Sequence, residues 1–328
     1  MIVTVRGPID DSLLGKTLVH EHILTDFSGA ENTLETKYNE EDVIETMSFY
    51  LKAIKDLGFT GFIDCTPAYL GRNVKILLQL SKILDIHILT NTGYYGAGND
   101  KYIPRSAYEE DKNKLASRWV KEWLEGIDDT RIKPGFIKIG VDPNYLSEID
   151  RKLVEASAIT HLETGLKIAC HTGEGNVAIM VLEVIKRYKV SPSNLIVVHS
   201  DSIEDRDIIF RLADEGCWIE YDSIGIKPLD FHISLIKDTV AKGFTSQLLL
   251  SHDAGWYNVD KPDGDKDKIR PYTYIPEVLI PALIKEGIDN KTIDMIFIEN
   301  PAKTFSIPQE MILWYNLREL ILISGEDK

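Results

Sequence analysis

The stretch KTLVHEHILTDF, residues 16–27, sets two histidines, His20 and His22, inside an apolar run. Val, Leu or Ile would pack better at both positions, so the imidazoles need a reason. Residues two apart share one face of a β-strand but point apart on a helix. As a strand, the run aims His20 and His22 at one point and turns Glu21 to the other side. The helical His-Glu-x-x-His pattern, with histidines four apart, does not apply. Such a strand pair also occurs in hydrogen-bonded cores, so the other strands must decide what it is for.

Seven further runs have the same character: residues 61–66 (GFIDCT), 87–93 (HILTNTG), 135–141 (GFIKIGV), 166–172 (LKIACHT), 195–201 (LIVVHSD), 217–223 (CWIEYDS) and 248–254 (LLLSHDA). Each is short and nearly continuous in Val, Ile, Leu and Phe, the pattern of strands buried on both faces of a parallel sheet. Amphipathic segments fill the gaps. One opens at an Asn39 cap and stops at Gly58; another opens at Ser147, with Glu148 and Asp150 in its first turn, and stops at Gly165. Others cover 73–84, 106–125, 176–188, 203–215, 230–242 and 276–287. Eight strands, each followed by a helix, predict a (β/α)8 barrel in one domain spanning 1–328, with a C-terminal helical extension. A doubly wound open sheet is the alternative, but no strand runs into a Gly-x-Gly-x-x-Gly turn.

The 328 residues are 44% hydrophobic with a net charge of -15. That charge argues against nucleic acid or an acidic membrane as partner, because phosphate contacts need clustered Lys and Arg. No run reaches the ~18 apolar residues of a membrane span, and the N-terminus has no signal-peptide pattern. Cys65, Cys170 and Cys217 lie in apolar runs without framework spacing, which predicts buried, reduced thiols in a cytoplasmic protein.

His20, His22, His171 and His199 fall near the C-terminal ends of the first, fifth and sixth runs, Asp253 ends the eighth, and Lys138 lies in the fourth. In a (β/α)8 barrel these ends meet at one mouth, where active sites sit. Imidazole and carboxylate are ordinary zinc ligands. His87 belongs to the opposite end, His161 and His232 to helices, and His252 turns away if Asp253 faces in. Lys138, among Phe136, Ile137 and Ile139, allows two readings. It pairs with a carboxylate across the barrel, or desolvation and nearby cations keep its amine neutral and able to take up carbon dioxide as a carbamate.

As an ordered set, LVHEH, GFIKIG, CHTGEG, VVHSD and LLLSHD resemble the phosphotriesterase family of the amidohydrolase superfamily, which includes phosphotriesterase-like lactonases and phosphotriesterase-related proteins. The resemblance covers nearly the whole chain. It implies a (β/α)8 barrel with a binuclear metal centre at the C-terminal mouth. Carried over by position, His20, His22 and Asp253 hold the more buried metal, His171 and His199 the more exposed one, and carboxylated Lys138 bridges the two. The metals are zinc by family habit, although manganese, cobalt and iron suit the same ligands. The implied chemistry is attack by a hydroxide shared between the metals, with Asp253 accepting the proton. Family members are often dimeric, which leaves a homodimer open.

The loops bear on the substrate. Tyr95, in NTGYYGAG, matches a lactonase tyrosine that faces the reacting carbonyl; a plain wall residue is the alternative. Where lactonases for acyl-homoserine lactones typically have an arginine after Tyr-Asp, this chain has Ser223. The long segment after the eighth strand, GWYNVDKPDGDKDKIRPYTYIPEV, carries Arg270, Tyr272 and Tyr274, which with Lys227 are expected to clamp a substrate phosphate or carboxylate. A solvated loop neutralised by its own aspartates is the plainer account. Its glycine is misplaced for a calcium loop. The expectation is a metal-dependent lactonase for a small polar sugar lactone, with or without a phosphate. An amidase or deacylase of a small N-acyl compound comes second, weak phosphotriesterase activity third, and a catalytically silent binding barrel is the reading from another class. The apolar stretch EMILWYNLRELILIS near the C-terminus is expected to cover the barrel bottom or to form a dimer interface.

Overall fold

The computed structural model describes residues 1–33, 37–308 and 311. Eight parallel strands form a (β/α)8 barrel: β1 (Lys16–Thr25), β2 (Phe59–Asp64), β3 (His87–Leu89, resuming at Asn91–Thr92), β4 (Phe136–Gly140), β5 (Ile168–His171), β6 (Leu195–Val198), β7 (Trp218–Tyr221) and β8 (Leu248–Leu250). Neighbours in sequence pair in order, and β3 pairs with β2 through Leu89 and with β4 through Asn91. The ring closes beyond β8. Asp253 N–H donates to His20 O at 3.0 Å, and His22 N–H donates to Ala254 O at 2.9 Å.

The crossover helices follow their sequence signals. Helix α1 (Glu40–Asp56) starts at Asn39, whose side chain accepts from Glu41 N–H. Helix α2 is Val74–Leu84. The expected helix over 106–125 is broken into a short turn, Arg105–Glu109, and α3 (Lys112–Glu125), because Asp111 caps the second piece. Helix α4 (Glu148–Thr164) opens on a capping box between Ser147 and Asp150 and ends at Gly165 in the left-handed region. Helices α5 (Gly175–Arg187), α6 (Arg206–Asp214) and α7 (Leu229–Ala241) complete the crossovers, and after β8 a π-turn, Ile275–Leu279, runs into α8 (Ile280–Lys285). Among the described residues no helix is long and apolar enough to cross a membrane.

The barrel interior divides into two halves. Val19, Ile63, Leu89, Phe136, Ala169, Ile196, Val198 and Leu249 form an apolar cluster, joined by Ile2, Leu14 and Phe305. Ile2 belongs to a hairpin, Ile2–Thr4 with Gly7–Ile9, that the sequence patterns did not predict. The stretch expected to cover the bottom lies, apart from Met311, outside the described residues. Above this apolar layer the inward positions become polar. In β4, alternation puts Phe136, Lys138 and Gly140 inward and sends Ile137 and Ile139 to the layer under the helices. In β1 the register against β2 shifts between Leu18 and Glu21. Val19 can then fill the apolar layer while His20 and His22 still face the mouth, the kind of re-aiming a bulge provides.

Glu21, turned outward as expected, closes the seam. Its buried carboxylate accepts from Ser251 Oγ (2.8 Å), His252 N–H (3.1 Å), His252 Nδ1 (2.6 Å) and Ala254 N–H (2.8 Å). His252 Nε2 in turn accepts from Ile275 N–H, so this imidazole is a neutral packing residue outside the mouth. Glu21→Ala would orphan several buried donors at roughly 1–3 kcal/mol each. A loss of more than about 3 kcal/mol in urea unfolding is expected, and Glu21→Gln, which keeps one acceptor, should lose less.

Candidate metal centre

Five strand ends bring His20, His22, Lys138, His171, His199 and Asp253 around one cavity of about 230 Å³, also lined by Thr25, Phe27, Cys65, Tyr95, Tyr102 and Trp256. Tyr95 reaches this wall because β4 ends in Gly140, where an added Cβ would lie 2.6 Å from the Tyr95 ring. Three residues that line the cavity, His199, Asp253 and Trp256, have left-handed backbones, φ +61°, +51° and +78°. Such conformations persist in non-glycine residues only where the surroundings enforce them, and they cluster at functional sites.

The hydrogen bonds fix which ring nitrogens face inward. Thr66 Oγ1 donates to Leu24 O and so accepts from His22 Nδ1 at 2.7 Å. That leaves the His22 Nε2 lone pair 3.1 Å from Asp253 Oδ1. His20 Nδ1 donates to Glu220 Oε1 at 2.7 Å, leaving its Nε2 3.8 Å from the same Asp253 oxygen. His199 Nδ1 donates to Asp222 Oδ1 at 2.6 Å. His171 Nδ1 lies 3.0 Å from the Tyr95 hydroxyl, and its ring centroid is 4.3 Å from that of His199. Among the described residues, Asp253 Oδ1 accepts no hydrogen bond, and Lys138 Nζ, in a residue only 2% exposed, has no hydrogen-bond partner.

Lone pairs of two imidazoles and a carboxylate, within 4.8 Å of one another and with no donor between them, suit a cation and little else. The electrostatics agree at His20 and His171, while at His199 burial is outweighed by the adjacent Asp222, which raises the imidazole. Burial, with Lys138 nearby, lowers His20 to about 4, so it is neutral at pH 7, and burial with His199 beside it holds His171 well below its ordinary value. Burial opposes charge on Asp253, but His20 and His22 outweigh it and hold the carboxyl well below its ordinary range. These donors fit a divalent metal; Lys138 is the member that no protein group satisfies.

Glu220 and Asp222 are functional residues that the sequence patterns did not single out. They alternate at the end of β7 and orient His20 and His199 from behind. Burial and the neighbouring Asp222 push Glu220 well up. Asp222 is buried too, but His199 and His20 keep it ionised. The available signal was the period-2 spacing of two acids at a strand end facing four histidines.

The expected substrate clamp only partly assembles. Lys227, Arg270 and Tyr274 gather at the turn 224–227: Arg270 Nη2 donates to Ile224 O, and the Tyr274 ring lies against Gly225. Lys227 Nζ donates to Asp201 O and sits 4.8 Å over the Phe231 ring. Tyr272 does not belong to the clamp. It is fully buried between Phe62 and Tyr50, and its hydroxyl donates to His22 O at 2.6 Å. The segment after β8 is also no plain loop, because Gly255–Asn258 pairs in parallel with β1. Gly255 is required there; a Cβ would stand 2.0 Å from His22 O. Ser223, which stands at the arginine position of those lactonases, donates to Asp201, which also pairs with His232.

Asp222→Ala removes the orienting partner of two imidazoles. Divalent-metal affinity, measured by chelator competition, should fall about 10–100-fold; unchanged affinity would deny Asp222 that role.

Comparison with known proteins agrees with this geometry. The family model described as Phosphotriesterase family matches residues 1–305. A phosphotriesterase homology protein of Escherichia coli is 28% identical over 89% of this chain and 98% of its own. An aryldialkylphosphatase of Saccharolobus solfataricus is 27% identical, with 92% and 98% covered. An N-acetyltaurine hydrolase of Xenopus tropicalis is 24% identical, with 92% and 96% covered. The organophosphorus hydrolase of Deinococcus radiodurans has the same fold, with a TM-score of 0.84, 24% identity, and 93% and 96% covered. Enzymes of the family use a binuclear metal centre, and the His and Asp groups here can hold metal. The chain belongs to the phosphotriesterase family and is a metal-dependent hydrolase.

Proposed function

We propose that this hydrolase opens a small polar sugar lactone that carries a terminal phosphate. One observation carries the reading. The metal-type cavity adjoins a second one of about 350 Å³, and both are lined by Phe27, Asp253 and Trp256. The second is lined further by Ile226, Gly255, Asn258, Asp265, Lys268 and Arg270, with Lys268 Nζ donating to Asp265 Oδ2 at 3.2 Å. A substrate with its carbonyl beside Asp253 would extend its far end toward Arg270 and Lys268, with Lys227 and Tyr274 behind. Asp265 offsets Lys268 there, so Arg270, which has no carboxylate partner among the described residues, is the group that would favour an anionic tail in a chain of net charge -15.

His20, His22 and Asp253 would hold one metal, His171 and His199 the other, and carboxylated Lys138 would bridge them. Zinc is the first choice, with manganese, cobalt and iron as alternatives. For the carbamate, the Lys138 amine forms an N–C bond to carbon dioxide and releases one proton, giving two oxygen ligands where a lone Nζ now has no partner. Bound divalent metals supply a Lewis acid for the carbonyl and a water of lowered pKa. Burial pushes the Tyr95 phenol up, so it stays protonated and can donate to the carbonyl oxygen as negative charge develops. Asp253 stays ionised, ready to accept a proton and pass it to the ring oxygen that leaves.

A relative named N-acetyltaurine hydrolase supports a second reading, hydrolysis of a small anionic N-acyl compound, in which the same groups meet an amide carbonyl. The names aryldialkylphosphatase and organophosphorus hydrolase point to triesters, but a triester has no anion to place beside Arg270. A silent binding barrel is disfavoured, because each ligand position holds a competent side chain.

Acid release at constant pH from matched five-membered sugar lactones, with and without phosphate, decides among these, with an N-acyl sulfonate and a neutral triester as further arms. Preference for the phosphorylated lactone supports the proposal, and turnover confined to the N-acyl arm replaces it with the second reading. Asp253→Asn should retain metal yet lose most turnover; unchanged turnover removes Asp253 from the mechanism. Lys138→Ala should lose metal and regain part of it with added acetate or propionate, whereas full occupancy without them would count against the carbamate. Lys227→Glu should raise KM for the phosphorylated substrate about tenfold and leave KM for its neutral partner unchanged.

A further inference from the structure

We propose that Arg270 is a positioning residue for Asp253, so that one guanidinium joins recognition of the substrate's anionic end to the geometry of the hydrolytic carboxylate. The proposal rests on the role given to Asp253 above. Its grounds lie in the backbone. The strand β8 ends at Leu250, and beyond it the chain turns through Asp253 with φ +51°. A non-glycine residue keeps that conformation only when its neighbours hold it.

Beside the bond from Asp253 N–H to His20 O at 3.0 Å and the grip of Glu21 on Ala254 N–H, Arg270 supplies part of the hold. Its Nη1 donates to Asp253 O at 3.0 Å, and its Nη2 donates to His252 O at 3.0 Å and to Ile224 O at 3.3 Å. Its own backbone pairs with Gly255 in both directions, at 3.1 and 3.3 Å. The guanidinium thus spans the ends of β7 and β8 and fastens the carbonyl of the residue whose carboxylate faces His20 and His22. The planar fork suits this task, since a lysine offers one ammonium and cannot meet three divergent carbonyls in a plane. Of five N–H donors, these bonds occupy three. Two remain, and the side chain lines the second cavity, so an anion can bind the same group without displacing the brace. Binding energy gathered at the tail would then appear as a better-held Asp253, and hence in kcat as well as KM.

The test compares Arg270→Met and Arg270→Lys with the unaltered enzyme, using a neutral lactone, or a neutral N-acyl amide if that is the class hydrolysed. Zinc affinity is measured separately by chelator competition without substrate. Arg270→Met should lower kcat on the neutral substrate about 10–100-fold with KM nearly unchanged, and weaken zinc binding. Millimolar guanidinium should restore part of both, and Arg270→Lys should fall in between. Wild-type kcat and zinc affinity in Arg270→Met, with only the KM for anionic substrates raised, would reduce Arg270 to a clamp and overturn the proposal. A loss that neither guanidinium nor lysine relieves would overturn it too. Should the Met variant fail to fold, the Lys variant with and without guanidinium separates the same outcomes. Because zinc affinity needs no substrate, a wrong lactone assignment leaves this test intact.

Discussion

A carboxylate buried at the barrel seam holds the rest in place. Glu21 leaves β1 on the side opposite the two histidines and accepts from the backbone and side chains of residues 251–254. β8 ends at Leu250, and beyond it the backbone bonds of Ser251 to Tyr221 O, of Asp253 to His20 O and of His22 to Ala254 O share the task with Glu21. With Glu21 gripping one side and Arg270 the other, Asp253 is held facing His20 and His22 instead of following the strand outward. The geometry of the centre thus depends on an acid that lies outside it.

The interior is arranged so that a polar layer, unfavourable to bury, rests on an apolar one. Hydrocarbon from Val19, Phe136, Ile196, Leu249 and Phe305 fills the lower barrel and provides burial that needs no partners. The upper barrel then carries buried imidazoles, three carboxyls and an amine, each of which must be paired or ligated. Most are paired from behind: His20 by Glu220, His199 by Asp222, His22 by Thr66. These partners use the outer nitrogens and leave the inner lone pairs converging. A cluster built this way is unfavourable in itself and becomes favourable with divalent cations, which ties the energetics of the fold to the chemistry of the site.

Aromatic side chains complete the mouth. Trp256, held with φ +78°, packs edge-on to His22 at 5.4 Å and against Phe27 at 5.5 Å, and both rings border the two adjoining cavities. They form an apolar wall between the metal-type residues and Arg270. Under the proposed reading, polar contacts would steer a substrate at its two ends and shape would guide it along its middle.

Much of this was determined by the sequence alone. Eight β-rich runs alternating with capped amphipathic helices specified the barrel, because strands buried on both faces and helices with one apolar stripe have few other ways to pack. The spacing of His20 and His22 and the placement of His171, His199, Lys138 and Asp253 near strand ends located the centre. What the sequence could not decide were contacts between elements distant in the chain. Glu220 and Asp222 looked like ordinary strand acids until β7 was set beside the imidazoles of β1 and β6. Tyr272, two residues from Arg270, looked equally fit for a clamp, but the parallel pairing of Gly255–Asn258 with β1 goes with a buried ring whose hydroxyl is bound to His22 O. Local patterns carry the period of an element and its caps. Which side chain meets which partner across the barrel depends on register, bulges and left-handed turns, and only the tertiary structure sets these.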